Sequence, residues 1–192
     1  MRIGLIIRRV CLIIWLAFLL FCAYLYLSNP QLFTAEHIAA FLLRFENAIF
    51  FGYLGISIIR GFTLLPSTPL VIAGTLLYPQ QPWLVLSISL AGILLSSTML
   101  YFFSEFLGFS YFFEGHKPEL THRIRAGLER PTGFAFVALW AFFPFVPTDL
   151  VCYVAGTTRM NFFKFIAAVF GGELVLCSFY IFFGGAIMNY LR

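Results

Sequence analysis

Phe143–Met160 reads FPFVPTDLVCYVAGTTRM and lies between long apolar runs, yet it carries two prolines, an aspartate, a glycine and an arginine. A plain membrane-crossing helix holds almost none of these. In hydrocarbon every backbone N–H and C=O must find a partner within the protein, so a broken helix survives only where protein or a watery cavity covers it. Pro144 and Pro147 remove two donors and disfavour helix at the residues before them. The stretch therefore reads as a re-entrant or discontinuous helix, and the rest of the chain must shelter it.

The composition agrees with a membrane setting. Of 192 residues, 61% are hydrophobic and 10% charged, and 26 are phenylalanine. A soluble domain carries about 25% charged residues. The length suits a single membrane domain. The net charge of +4 is too small to suggest nucleic-acid binding. Cys11, Cys22, Cys152 and Cys177 all lie in apolar runs and form no metal-ligand spacing, so they read as small buried hydrophobes with no metal and no cofactor.

Residues 1–47 read as an anchor followed by a surface segment. Arg2, Arg8 and Arg9 precede an apolar run from Val10 to Leu27, long enough to span. No small-x-small cleavage site follows, which favours an uncleaved span over a signal peptide. Tyr24 and Tyr26 suit the interface. Thr34 is positioned to cap a helix, and Ile38, Phe41, Leu42 and Phe45 follow at helical spacing. This predicts an amphipathic helix on the membrane surface, with a simple connector as the alternative.

Residues 48–192 form the main membrane domain. Ala48–Tyr78 is too long for one span, too short for two, and broken at Pro66-Ser67-Thr68-Pro69. A hairpin that returns to its own side fits. Trp83–Leu107 reads as a span with Gly92 and Ser96 four apart, a small-xxx-small spacing that lets helices approach closely. Gly108–Pro131 is a charged loop with Glu114, His116, Lys117, Glu119, His122, Arg123, Arg125, Glu129 and Arg130. The histidines read as solvated, and the basic excess places residues 109–131 in the cytoplasm. Asn161–Met188 reads as the last span, with Glu173 near its middle.

The two breaks resemble each other. Pro66–Pro69 is followed by Ala73-Gly74-Thr75, and Pro144–Pro147 by Ala155-Gly156-Thr157. Gly55 and Gly133 stand eleven residues before the first proline of each pair. Ala91-Gly92 and Gly171-Gly172 occupy the following spans. The reading is an all-α integral membrane fold. A first span is followed by an inverted repeat of hairpin plus span, 48–108 and 132–188, with opposite orientations. The N-terminus lies inside, and six crossings remain an alternative. Inverted repeats whose broken helices meet near the midplane are a transporter architecture.

The chain resembles the DedA superfamily, also called the VTT or SNARE-associated Golgi-protein domain, over roughly Ala48–Met188. The carriers are Arg60 with LLPSTPLVIAG, the stretch FPFVPTDLVCYVAGTTRMNFFKF, and Gly171-Gly172. The resemblance implies two opposed re-entrant hairpins and work on lipids. Eukaryotic members scramble phospholipid; bacterial ones translocate polyprenyl-phosphate carriers or phospholipids. The DedA branch tends to carry glutamate where Thr68 stands and arginine where Ala141 and Pro147 stand. Their absence makes this chain more similar to the PxxP-bearing branch. It also weakens the implication of proton coupling and of a polyprenyl-phosphate substrate.

Arg60, Asp149, Arg159, Lys164 and Glu173 are the ionisable groups at depth. Each costs about 2.5–3.5 kcal/mol at a helix centre and so tends to face a cavity or a partner. Asp149, Tyr153 and Gly156 share one helical face. The candidate headgroup or coupling residues are Arg60, Ser67, Thr68, Asp149, Tyr153, Arg159 and Glu173. The candidate hairpin breaks are Pro66, Pro69, Gly74, Pro144, Pro147 and Gly156. Arg60 and Arg159 are placed to meet a lipid phosphate or to pair with Asp149 and Glu173. The alternative for Asp149 is a helix cap, and for Arg159 and Lys164 an interfacial position. The expected function is lipid translocation, flippase- or scramblase-like, through a polar seam between the hairpins. The alternatives are an ion-coupled small-solute transporter and a non-transporting assembly factor. A membrane enzyme ranks last, because no HExxH, GxSxG or histidine–acid set occurs. The expected partners are membrane lipids and, as a further candidate, a second copy of the chain, with no nucleic acid. The expected location is a bacterial inner membrane.

Overall fold

The structure, a computed structural model, describes residues 2–107, 118–144 and 146–184, and every regular element among them is helical. Among the described residues three helices are long and apolar enough to cross a membrane: α1 (Arg2–Ser28), α5 (Pro82–Phe106) and α9 (Phe162–Ser178), which continues through a π-helical turn, Phe179–Phe183. Glu114, His116, Lys117 and Met188 lie outside the described residues.

The shorter helices give the two halves their shape. The first half has α3 (Ile49–Gly61), a break at Pro66, α4 (Thr68–Leu77) and then α5. The second has α7 (Pro131–Phe142), a break at Pro144, α8 (Thr148–Thr157) and then α9. At 10 to 13 residues and 1.5 Å per residue, each limb is about 15–20 Å long, against a hydrocarbon core of about 30 Å. No limb is long enough to cross alone. Pro69, Pro82 and Pro131 sit in first turns, where a missing N–H costs nothing.

α5 is the central helix and packs on α3, α8 and α9. Over half of its span is buried, 56%, against 6% for α1. α1 is therefore a peripheral helix. It reaches the bundle through Trp15, whose ring lies 5.1 Å from Tyr153 and 6.1 Å from Phe103.

Small residues set the crossings. A Cβ on Gly92 of α5 would meet Ser57 of α3, and one on Gly61 of α3 would lie 2.7 Å from the Ser96 Cβ. Ser57/Gly61 thus mesh with Gly92/Ser96, the close approach that the spacing on α5 predicts. In the second half a Cβ on Gly172 of α9 would strike Ala138 and Ala141 of α7. One member of the small pair in each span, Gly92 or Gly172, therefore packs on the first limb of its own half. Gly55 and Gly133 do not correspond in this way. Gly55 faces open space, whereas Gly133 is pressed on the backbone of Gly127 and Leu128.

Gly74 and Gly156 break nothing. Each lies inside a continuous helix, α4 or α8, at a crossing. Gly74 meets Tyr53 and Val85, and Gly156 meets Ser104 and the backbone of Tyr101. A glycine in an apolar run marks close approach as readily as interruption, and packing decides between them here.

Two further expectations change. α2 (Ala35–Leu43) is capped by Thr34, whose hydroxyl accepts the His37 N–H at 3.4 Å. It is not a plain surface helix, because Ala35, Ala39 and Leu42 bury it against α4 while Phe41 and Phe45 stay exposed. The charged loop also holds a helix, α6 (Pro118–Glu129), amphipathic and packed on α7. Glu129 at its end accepts the Asn161 N–H at 2.8 Å and the Lys164 ammonium at 3.2 Å. The Asn161 amide and the Lys164 charge hold the Glu129 carboxyl below the usual glutamate range.

Two outcomes follow. Gly156→Val lowers the unfolding free energy by about 1–3 kcal/mol, because the added carbons meet backbone. Gly171→Ala, at a position facing open space, leaves it unchanged or raises it by up to about 1 kcal/mol. Both are read by SDS-titrated unfolding in micelles. For Glu129 the folded pKa lies below the unfolded one. Its contribution is therefore full at neutral pH and lost as pH falls through the folded value. Glu129→Gln costs about 0.2–1 kcal/mol at pH 7, the range of a surface pair. That difference from wild type vanishes once acid protonates the folded carboxyl, as parallel unfolding series at several pH values will register.

Candidate functional site

A polyamide chain that breaks inside hydrocarbon leaves carbonyls without partners, and both breaks solve this with a side chain from the limb before. Arg60, in the last turn of α3, donates from Nη1 to the Leu65 carbonyl at 2.8 Å. Trp140, in α7, donates from Nε1 to the Pro147 carbonyl at 3.3 Å. The first break also holds Leu64 in the left-handed region, φ 57°. That conformation costs a non-glycine residue about 1–2 kcal/mol and has to be held by its surroundings. Thr63 helps by donating to the Arg60 carbonyl at 2.6 Å.

The same guanidinium joins the two halves. Arg60 Nη1 lies 3.0 Å from Asp149 Oδ2, with side-chain exposures of 7% and 1%. Asp149 stands in the first turn of α8, whose N-cap position is Pro147. The carboxylate faces the cation, so it serves as an ion-pair partner at the helix start. The backbone favours the arrangement. A helix C-terminus attracts a cation and a helix N-terminus an anion, each by about 0.3–1 kcal/mol and more when partly buried. Gly61 supplies the clearance, since a Cβ there would lie 3.3 Å from Asp149 Oδ1 and 2.7 Å from Ser96.

Thr148, beside Asp149, ties the centre to the last span by donating to Glu173 Oε1 at 2.6 Å. Glu173 is fully buried on α9, with the Cys177 thiol 3.9 Å from its other oxygen. On the opposite side Tyr53, Ser57, Ser67 and Ser89 surround a small void of about 10 Å3 beside Arg60. Tyr53 Oη and Ser89 Oγ are 2.7 Å apart there. Such a void holds about one water.

The structure therefore gathers Arg60, Ser67 and Asp149 and links Glu173 through Thr148. It places the remaining candidates elsewhere. Thr68 begins α4, half-buried. Tyr153 packs under Trp15. Arg159 lies in the turn after α8, 3.3 Å from Glu105, with both side chains more than a third exposed. Arg159 is thus at the rim and not in the centre. Pro66, Pro69, Pro144 and Pro147 do mark the two breaks. Thr148, Gly61, Ser57, Ser96 and Trp140 escaped sequence reasoning as site residues. Only the repeat offered a signal, because Trp140 and Arg60 both precede a proline pair.

A helical membrane protein whose two proline-broken helix pairs meet at a buried ion pair is thereby defined. Residues 65–186, well over half of the chain, match the VTT domain. The chain belongs to the VTT-domain family, the DedA/SNARE-associated superfamily. No curated protein and no solved structure matches it.

Removing one partner of the central pair leaves a buried charge alone. Asp149→Asn and Arg60→Gln each lower stability by about 3–5 kcal/mol, whereas the double variant recovers most of the loss. A double-mutant cycle by SDS-titrated unfolding measures the coupling. Additive losses would show that the two side chains act independently.

Proposed function

We infer that the protein translocates lipid, carrying a phospholipid or polyprenyl-phosphate headgroup along a polar seam between the two hairpins while the tails stay in the bilayer. The observation that carries this reading is the buried Arg60–Asp149 pair, contributed by the two breaks. A charge at that depth is expensive and marks a substrate or ion pathway by default. Limbs too short to span support hairpins that return to their own side. In that reading the two hairpins enter from opposite faces, with the N-terminus and residues 109–131 in the cytoplasm of a bacterial cell. Thr68, Ala141 and Pro147 favour the PxxP-bearing branch, and no catalytic step is assigned. Membrane lipids are the partners, with a second copy of the chain as a further one.

A second reading, an ion-coupled small-solute transporter, draws on Glu173. This carboxyl is buried on the last span and meets a hydroxyl and a thiol, but no cation among the described residues.

Liposomes carrying a fluorescent phospholipid and challenged with an impermeant reductant test the first reading. The signal falls below the plateau of empty liposomes if lipids exchange leaflets, and Arg60→Ala and Asp149→Ala slow that fall. Traces identical to empty liposomes would refute translocation. Unslowed exchange in both variants would leave translocation standing and remove the site.

A further inference from the structure

Asp149 and Glu173 are the buried carboxyls among the described residues, and the structure answers them differently. Asp149 has the Arg60 guanidinium at 3.0 Å. Glu173, 0% exposed on the last span, has neutral partners. The Thr148 hydroxyl donates to its Oε1 at 2.6 Å, and the Cys177 thiol lies 3.9 Å from its Oε2. One cation compensates one carboxylate, and the geometry gives that cation to Asp149.

The elements around Glu173 bring it no second cation among the described residues. α7, which packs on α9, carries no titratable side chain. α5 carries Tyr101 and Glu105, which are engaged by the Met160 carbonyl and by Arg159. α8 adds Cys152, whose thiol donates to the Thr148 carbonyl at 3.3 Å, and Tyr153, which packs under Trp15. On α9 itself the exposed Lys164 is paired with Glu129. The π-helical turn adds Tyr180.

An isolated carboxylate in apolar surroundings is far more costly than a neutral polar group, and such a group takes up a proton instead. Both contacts of Glu173 suit the acid. Oε1 accepts from Thr148 as a carbonyl oxygen does. An O–H at Oε2 would meet a sulfur, which accepts weakly as well as donating weakly. A hard metal cation calls for about six or more oxygen ligands. Glu173 and Thr148 supply few, and no group of metal-ligating side chains gathers among the described residues.

We propose that Glu173 is a proton-binding site, where the resting protein holds a carboxylic acid beside an ionised Asp149. The guanidinium, the carboxylate and the acid then sum to no net charge. Carboxyls that their surroundings hold in opposite forms take different roles. Asp149 fixes Arg60, and Glu173 keeps a proton on the last span, tied to α8 through Thr148. The proposal goes beyond the translocation reading and stands without it. Where the ion-coupled reading holds, it names the ion.

Infrared spectroscopy of the full chain in detergent at neutral pH tests this, because the C=O stretch of an acid lies apart from carboxylate bands. Asp149 is the only aspartate of the chain. Isotope labels in the side-chain carboxyl of glutamate or of aspartate therefore separate the two sites. An acid band is expected that shifts with labelled glutamate and stays with labelled aspartate. It disappears in Glu173→Gln and moves to higher wavenumber in Thr148→Val, which removes the hydrogen bond to its carbonyl. Glu173→Gln, a neutral near-isostere of the acid, keeps the wild-type unfolding midpoint, whereas Glu173→Ala lowers it.

The absence of a glutamate acid band from the wild type, a band that survives Glu173→Gln, or an acid band that follows labelled aspartate each overturns the proposal. So does a fall in midpoint for Glu173→Gln as large as that for Asp149→Asn. The labelling of wild type decides the matter even where a variant fails to fold. The liposome assay is independent of it. Leaflet exchange without the acid band removes the proton site and keeps translocation, and the band without exchange does the reverse.

Discussion

Arg60 and Asp149 are 89 residues apart in sequence and 3.0 Å apart in space. Taking both charges out of water costs several kcal/mol per ion, and their attraction offsets this only with good geometry and further hydrogen bonds. Here the geometry comes from two helix ends. The guanidinium stands at the C-terminal end of α3 and the carboxylate at the N-terminal end of α8. The further bond comes from the Leu65 carbonyl, which the break itself leaves without a partner. One side chain thus repairs a broken backbone and fixes the end of α3 against the start of α8. The pair is better understood as a device for register than as a net source of stability.

That device works only if three helices come close. Apolar burial gives no preference for helix over lipid, so association depends on packing contact. Ser57/Gly61 against Gly92/Ser96 brings α3 onto α5, and Gly156 against Tyr101 and Ser104 brings α8 onto α5. Both partners of the ion pair are therefore delivered to α5 by glycines, and Ser96 touches the clearance at Gly61. Enlarging any of these positions moves the charges before it touches them. The central chemistry accordingly depends on residues that carry no chemistry themselves.

Much of this was legible in the sequence where a residue has one physical meaning. Proline removes a donor wherever it stands, so both breaks were visible. Apolar length locates α1, α5 and α9, and Thr34 capped as expected. Residues with two meanings were less legible. Gly74 and Gly156 follow the breaks at equal spacing and looked like interruptions, yet both sit in unbroken helices. Asp149 suited a cap or an ion pair, and only the fold brings Arg60 of the other half to it. Arg159 suited the centre or the interface, and the turn after α8 carries it to Glu105 at the rim. Thr148 gave no signal at all, because a hydroxyl in an apolar run usually bonds its own helix. Only the fold brings Glu173 within reach of it.

The two halves are alike in layout and unlike in charge. A cation covers the first break and a neutral indole the second, while the buried carboxyls among the described residues, Asp149 and Glu173, belong to the second half. A repeated scaffold therefore holds an unsymmetrical centre, with donors on one side and acceptors on the other. In the translocation reading this asymmetry has a consequence. An anionic headgroup at the centre competes with Asp149 for the same guanidinium, so the carboxylate holds the cation whenever the substrate does not. Arg60 is then never left unpaired in hydrocarbon during a cycle, which is the condition for a charge to remain at that depth at all.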